Sequence, residues 1–181
     1  MIFETKEYTV KDNLKITLKT PDAAEAMDVL NFIQRSAGQT PFLLSSPEDF
    51  NIPVEKEEAF LKSQREGNDY FIAVYDNGEI VGDCGLNFMR HVKDRHRCSV
   101  GITIDEKYWG KGIGSLLFDV MIELAKNTPE IEQIELGVIS VNERAKRLYK
   151  SKGFEKTGVI KNALKLSDGT YLDEEMIVKF L

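Results

Sequence analysis

One short stretch of the chain, KYWGKGIGSLL from Lys107 to Leu117, contains three glycines at alternate positions, Gly110, Gly112 and Gly114. A glycine costs a helix about 1 kcal/mol relative to alanine, yet these stand directly before an apolar stripe that is typical of a helix. The first N–H groups of a helix lack internal acceptors and carry a partial positive charge. A glycine has no Cβ atom and so lets a phosphate approach them closely. The stretch suggests a phosphate site; glycines that serve only the geometry of the turn are the alternative.

Two nucleotide-binding motifs fit this stretch poorly. A P-loop requires G-x-x-x-x-G-K-[ST], whereas Lys111 stands between two glycines with no serine or threonine after it. The dinucleotide fingerprint requires G-x-G-x-x-G directly after a strand. Here the spacing is G-x-G-x-G, and Asp105–Trp109 intervene after the strand-like GITI. A regulator that binds ATP or NAD at the turn stays open as an alternative.

A second stretch, VNERAKRLYKSKGF, places Asn142, Ala145 and Tyr149 at spacings that share one face of a helix. With the glycine turn, it resembles the GNAT superfamily of N-acetyltransferases, which use acetyl coenzyme A. The family turn reads Q/R-x-x-G-x-G/A, and the later helix reads N-x-x-A-x-x-x-Y-x-x-x-G-F, of which every letter is present. The closing DGTYLDEEMIVKFL is similar to the branch that holds ribosomal-protein N-terminal and spermidine acetyltransferases. The likeness covers residues 76–181 well and the N-terminal third only by element order.

The resemblance implies acetyl transfer from acetyl coenzyme A to a primary amine, by direct attack in a ternary complex and without a metal. The pantetheine arm would bond to the backbone of the strand that ends in Ile102, Thr103 and Ile104, with an N–H near Ile104 stabilising the oxyanion. The pyrophosphate would bind at the turn and helix start, formed by Gly110, Lys111, Gly112, Ile113, Gly114 and Ser115. Trp109 stands where the family usually has Gln or Arg, which matters little if backbone N–H groups do the binding.

Tyr149 is the implied catalytic acid, because a phenol can protonate the leaving thiolate. The alternative is that the Tyr149 ring only packs against neighbouring side chains and has no catalytic role. The resemblance implies a cofactor contact for Asn142, but as a helix cap that residue needs no further function.

The general base is left open. Many family members place a Glu on a central strand, where this chain has Cys98 or Ser99 on one strand and Gly137 on the other. Glu135 could relay a proton through water, Asp83 is a similar candidate, and solvent could also serve.

The acceptor is a small-molecule amine or a protein N-terminus. Acidic residues in the segments expected to form its pocket would suit a cationic amine, although exposed charges are mostly solvated; they are Glu48, Asp49, Asp173, Glu174 and Glu175. An acetyl coenzyme A sensor without efficient turnover is an alternative to the enzyme.

The pattern of elements predicts an α/β (α+β) domain over residues 1–181, with a mixed, mainly antiparallel sheet of about seven strands and four flanking helices. Thr20 and Pro21 suggest the cap and first residue of the first helix. Asn77-Gly78 and Ser167-Asp168-Gly169 suggest hairpin turns.

Composition narrows the class of protein. The 181 residues carry a formal net charge of −6, which argues against nucleic acid as the main partner. Cys84 and Cys98 are expected to be buried thiols in a reducing compartment. No signal peptide or membrane-length apolar run is evident, so we expect a cytoplasmic protein with no membrane partner and, from the resemblance, a possible homodimer.

Overall fold

The computed structural model describes all residues, Met1–Leu181, and contains eight strands and four α-helices. The strands are β1 (Lys6–Thr9), β2 (Lys15–Lys19), β3 (Tyr70–Asp76), β4 (Glu79–Phe88), β5 (Arg97–Ile104), β6 (Gln133–Ile139), β7 (Glu155–Lys165) and β8 (Tyr171–Phe180). The helices are α1 (Ala26–Ala37), α2 (Val54–Glu66), α3 (Ile113–Lys126) and α4 (Glu143–Ser151).

The strands form one sheet in the order β1-β2-β3-β4-β5-β6-β8-β7. β5 and β6 run parallel, whereas the neighbouring pairs β1–β2, β2–β3, β3–β4, β6–β8 and β7–β8 are antiparallel. The predicted mixed, mainly antiparallel α/β fold with four helices is therefore confirmed. The expected count of about seven strands is one short, because β1 is a four-residue edge strand of mostly polar residues.

The chain divides into two compact units. Unit 1 comprises Met1–Asn87 and Gly101–Leu117, and unit 2 comprises Phe88–Val100 and Phe118–Leu181. The expectation of one domain over residues 1–181 stays a prediction.

Unit 1 has its core where α1 and α2 cover β3. Leu61 of α2 and Phe32 of α1 are each 1% exposed and belong to one cluster with Ala73 and Tyr75 of β3. Because side chains alternate along a strand, Ala73 and Tyr75 lie on the same face of β3, which is the face that the helices cover.

The start of the first helix differs from the prediction. A short 3-10 helix, Ala23–Glu25, leads into α1, and its cap is Asp22, not Thr20: the Asp22 carboxylate accepts the N–H of Ala24 while Glu25 bonds back to the N–H of Asp22. Thr20 instead uses its hydroxyl to accept the buried N–H of Phe3 at 2.9 Å. Both predicted hairpin turns are confirmed, and Asn77 and Gly78 take the positive φ angles (49° and 86°) of a tight turn.

Unit 2 is organised by the pairing of β8 with β6. Leu136 lies opposite Ile177, and Gly137 lies opposite Met176. Side-chain alternation then puts Glu175 and Ile177 on one face of β8 and Glu174 and Met176 on the other. The first face is covered by α4, because Lys146 of that helix lies 3.5 Å from Glu175.

The parallel ladder between β5 and β6 is short. It runs over three pairs, from Arg97 with Gln133 to Ser99 with Glu135, although β5 continues to Ile104 and β6 to Ile139. None of the helices has the length and apolar character needed to cross a bilayer.

Candidate active site

The glycine turn leads directly into α3. Gly110 and Gly112 adopt φ angles of 79° and 90°, a left-handed conformation that costs glycine little. The helix begins at Ile113, so Gly114 lies in its first turn. Leu116 is the first residue whose N–H finds a helical acceptor, the carbonyl of Gly112 at 3.1 Å.

The turn presents a group of backbone donors without acceptors in the protein. The N–H groups of Gly112, Ile113, Gly114 and Ser115 make no hydrogen bond to the chain. A Cβ atom built at Gly110 would meet nothing within 4 Å. Four unpaired donors at the positive end of a 14-residue helix are suited to a diphosphate.

Lys111 contacts two residues outside the glycine turn. Its ammonium lies over the ring of Tyr108, 4.9 Å from the centroid, and its carbonyl accepts the N–H of Lys11 at 3.1 Å. The phenol of Tyr108 in turn donates to Asp76 at 2.7 Å. Lys111 adds positive charge beside the turn, and its contacts hold the turn's backbone in place.

A buried carboxylate supports the loop that precedes the turn. Asp105 is 2% exposed, accepts a hydrogen bond from Arg35 Nε at 2.8 Å, and accepts the N–H of Lys107 at 3.1 Å. Burial alone would raise the pKa of Asp105, but hydrogen bonds from the N–H of Lys107 and from Arg35 hold it below its ordinary value. The sequence does not reveal this pair, because 70 residues separate its members and neither belongs to a motif.

The backbone of β5 alternates in direction near its end. Asp105 N–H bonds to the carbonyl of Val81 on β4 at 3.0 Å, and the carbonyl oxygen of Thr103, two residues earlier, lies 3.1 Å from where a Cβ on Gly82 of β4 would be. The peptide groups of Thr103 therefore face β4, and those of Ile102 and Ile104 face the other way. The carbonyl of Ile104 accepts the indole N–H of Trp109 at 2.7 Å.

Asp83 is a carboxyl with an unusual proton affinity. Burial raises the pKa of Asp83 to about 7. Hydrogen bonding by Thr103 opposes this increase, and the negative charge of Glu57 adds to it. Glu57 lies on α2 one turn before Leu61 and is 7% exposed, and one of its oxygens has no hydrogen-bond partner. Burial raises the pKa of Glu57 as well.

Tyr149 lies on α4 within a cluster of aromatic rings. Its ring centroid is 5.0 Å from that of Phe118 and 6.3 Å from that of Phe154. It lines a pocket of about 530 Å³ together with Phe154, Glu175 and Ile177. The hydroxyl makes no hydrogen bond to the protein, and burial raises the pKa of Tyr149 to about 12, with the charge of Arg144 opposing the change. The phenol is therefore protonated at neutral pH and free to donate.

Asn142 acts as a helix cap. Its Oδ1 accepts the N–H of Ala145 at 3.2 Å at the start of α4. This bond confirms Asn142 as a helix cap, and its contact with the cofactor stays a prediction.

The positions considered for a base carry no free carboxylate of their own. Cys98 is fully buried and burial raises its pKa to about 12, and Gly137 has no side chain. Glu135 is held by Arg97, whose Nε lies 3.0 Å from its carboxylate. The structure does bring one other carboxylate to this region: Glu174 of β8 lies against Gly137.

Comparison with known proteins decides the class of protein. The family model described as "Acetyltransferase (GNAT) family" matches residues 39–154. The chain belongs to the GNAT acetyltransferase family. The suspected family and the assignment to the acyl coenzyme A N-acyltransferases are thus confirmed.

Two curated relatives of this GNAT acetyltransferase are informative. It is 32% identical to the L-amino acid N-acetyltransferase AaaT of Escherichia coli over 111 residues, which are 61% of the chain and 67% of that protein. It is 30% identical to the [Ribosomal protein uS5]-alanine N-acetyltransferase of Escherichia coli over 112 residues, which are 60% of the chain and 56% of that protein. The match with the second relative thus spans little more than half of its length.

Solved structures confirm the fold of this GNAT acetyltransferase. An acetyltransferase of the GNAT family from Streptococcus pneumoniae gives a TM-score of 0.85 at 24% identity, covering 92% of this chain and 99% of that one. A putative acetyltransferase from Salmonella typhimurium, yncA, solved with acetyl coenzyme A, gives 0.77 at 18% identity, covering 92% and 94%.

Proposed function

We propose that this GNAT acetyltransferase moves an acetyl group from acetyl coenzyme A to a primary amine by direct attack of the amine on the thioester. The observation that carries the proposal is the set of unpaired N–H groups from Gly112 to Ser115 at the start of α3. These donors fit a pyrophosphate, and the family to which the chain belongs supports the identity of the ligand.

In this proposal the turn binds the pyrophosphate through its backbone, with Lys111 supplying positive charge nearby. The peptide groups of Ile102 and Ile104, which face away from β4, bind the pantetheine arm as an added strand would. The N–H near Ile104 stabilises negative charge on the thioester oxygen during attack. Thr103 does not donate its own N–H to the ligand, because by strand alternation with Asp105 that donor faces β4.

Tyr149 is the proposed acid. A protonated hydroxyl without a partner in the protein can donate to the sulfur as the carbon–sulfur bond breaks. Packing of the ring against Phe118 fixes the position of the phenolic oxygen, which limits the reorganisation needed for proton donation.

The acceptor is proposed as a small-molecule amine or a protein N-terminus. One curated relative is named as an L-amino acid N-acetyltransferase and the other as a ribosomal-protein alanine N-acetyltransferase, and these names support the two proposed classes of acceptor. Of the five acidic residues considered for the acceptor, Asp173 pairs with Lys161 at 2.7 Å and Glu175 pairs with Lys156 at 3.0 Å. Asp49 accepts the N–H of Ser46. Because lysines already pair with them, Asp173 and Glu175 are poorly placed to bind a further cation, whereas Asp49 has no counter-ion.

Calorimetric titration with acetyl coenzyme A, followed by a screen for release of coenzyme A thiol, tests the proposal. The screen uses L-amino acids, alanine-initiated peptides, polyamines and aminoglycosides as acceptors. Binding of acetyl coenzyme A with turnover of one acceptor class is expected. Tight binding without turnover by any acceptor would favour a sensor, and preferential binding of ATP or NAD would favour a nucleotide-binding regulator.

A further inference from the structure

The carboxylate of Glu174 lies where the side chain of residue 137 would be. An ideal Cβ built on Gly137 would be 2.6 Å from Glu174 Cδ and 3.1 Å from its Cγ. Glu174 pairs with Ile139 across the β6–β8 ladder, so its side chain crosses diagonally to the position two residues earlier on β6. Only a glycine leaves room for this arrangement, since any other residue at 137 would displace the carboxylate.

Glu174 differs from its neighbours on β8 in having no counter-ion. Asp173 pairs with Lys161, and Glu175 pairs with Lys156 and Lys146. Glu174 makes no hydrogen bond or ion pair in the protein. It is only partly exposed, and the glycine beneath it is exposed to solvent. A partly buried carboxylate without a donor is available to accept a proton or bind an ammonium group.

Glu174 and Tyr149 lie on opposite faces of the unit 2 strands. Tyr149 shares its pocket with Glu175 and Ile177, whereas Glu174 points to the other face, with Gly137. The acid and the base of acyl transfer act on different atoms, the sulfur and the nitrogen, so they can approach the reacting carbon from different sides.

We propose that Glu174 is the catalytic base that accepts a proton from the acceptor ammonium before attack. The proposal rests on the proposed function. An ammonium group loses two protons on becoming an amide. Glu174 accepts the first and passes it to water, and the second balances the proton that Tyr149 gives to the sulfur. The thioester and the ammonium thus become an amide, a thiol and one released proton, and no other reactant is needed.

Asp83 and Glu135 are less suitable bases. Burial raises the pKa of Asp83 to about 7, so near neutral pH a large fraction of this carboxyl already holds a proton. Glu135 is held by Arg97. Among the carboxylates considered for this role, Glu174 is the one that lies against Gly137 and has no partner in the protein.

Glu174→Gln tests the proposal in the acceptor class that the screen finds active. We expect kcat/KM to fall roughly 100-fold or more, as is typical for loss of a general base, with the Kd for acetyl coenzyme A changed less than twofold. Glu132→Gln, which removes an exposed carboxylate from the same unit, is the matched control and should retain full activity. Loss of activity in Glu174→Gln that is less than threefold would overturn the proposal.

A relocated carboxylate separates catalysis from packing. In the double variant Gly137→Glu/Glu174→Ala, the carboxylate comes from β6 instead of β8, and we expect activity at least tenfold above that of Glu174→Ala alone. No recovery, in a double variant that binds acetyl coenzyme A normally, would count against a base at this position. If the natural protein turns over no acceptor, the proposed function has failed; if it turns over and Glu174→Gln does too, only the base assignment has failed.

Discussion

Tyr149 shows at the residue scale how a packed ring can still act as an acid. Phe118 and Phe154 enclose its ring, yet its hydroxyl has no partner in the protein. Packing and catalysis were alternatives when only the sequence was considered, but the structure is compatible with both at once. Hydrogen-bonding state, unlike ring position, could not be read from helical spacing.

Tyr149→Phe is expected to reduce kcat by roughly 100-fold, because general acid catalysis typically contributes 10²–10⁴-fold. The thermal midpoint should stay within about 2 °C of the natural protein, since the variant loses no protein hydrogen bond. Steady-state kinetics and a melting curve measure the two effects. A variant that keeps full kcat would remove Tyr149 from the mechanism.

Asp83 should make the stability of the protein depend on pH. Its pKa is about 7 in the folded chain, against an ordinary 3.8, so between these values the folded chain holds a proton that the unfolded chain has lost. The free energy of unfolding therefore falls as pH rises through this window. Glu57 of α2 and Thr103 of β5 are the groups that face Asp83, and Glu57 adds to the same trend.

Asp83→Asn removes this contribution. Urea unfolding at pH 5 and pH 8.5 should show that the natural protein loses about 2 kcal/mol more than the variant over this range. Other titrating groups are common to both proteins and cancel in the comparison. Parallel curves for the two proteins would mean that Asp83 does not retain its proton on folding.

The glycine turn shows at the element scale how much a spacing can predict. The spacing of the glycines predicted a tight turn before a helix. In the structure, Gly110 and Gly112 have the left-handed φ angles of such a turn. The support beneath the turn could not be predicted, because the bond between Arg35 and Asp105 joins distant parts of the chain. β1 could not be predicted either, because its residues show no clear alternation of apolar and polar side chains.

Gly112→Ala should weaken the binding of acetyl coenzyme A at least fivefold. The residue has a φ of 90°, and an added Cβ would lie 3.4 Å from Lys11 Cγ, so alanine would distort the backbone that presents the N–H donors. Gly169→Ala is the matched control, since Gly169 also has a positive φ (88°) but lies in the β7–β8 turn. Calorimetry should show normal affinity in the control; equal affinity in both variants would contradict the role of the turn.

Arg35→Ala leaves the carboxylate of Asp105 buried without its partner. We expect a loss of about 2 kcal/mol in the free energy of unfolding, a moderate value because Arg35 is 36% exposed. Urea denaturation measures this loss. A loss below about 0.5 kcal/mol would show that water replaces the guanidinium.

At the scale of the whole molecule, the features that can be predicted are those encoded by a local pattern or a family motif. The helix count, both hairpins and the family were predicted from residues adjacent in sequence. The contact of Glu174 with Gly137 depends instead on the register of β8 against β6, which no local pattern reveals.

The two cysteines have a practical consequence for enzymology. Cys84 and Cys98 are both fully buried and unpaired, and burial raises the pKa of each thiol. An aromatic disulfide reagent should therefore release no coloured thiolate from the native chain. After denaturation it should release two equivalents, one for each cysteine. A continuous colorimetric assay would then record product alone, with no background from the catalyst itself.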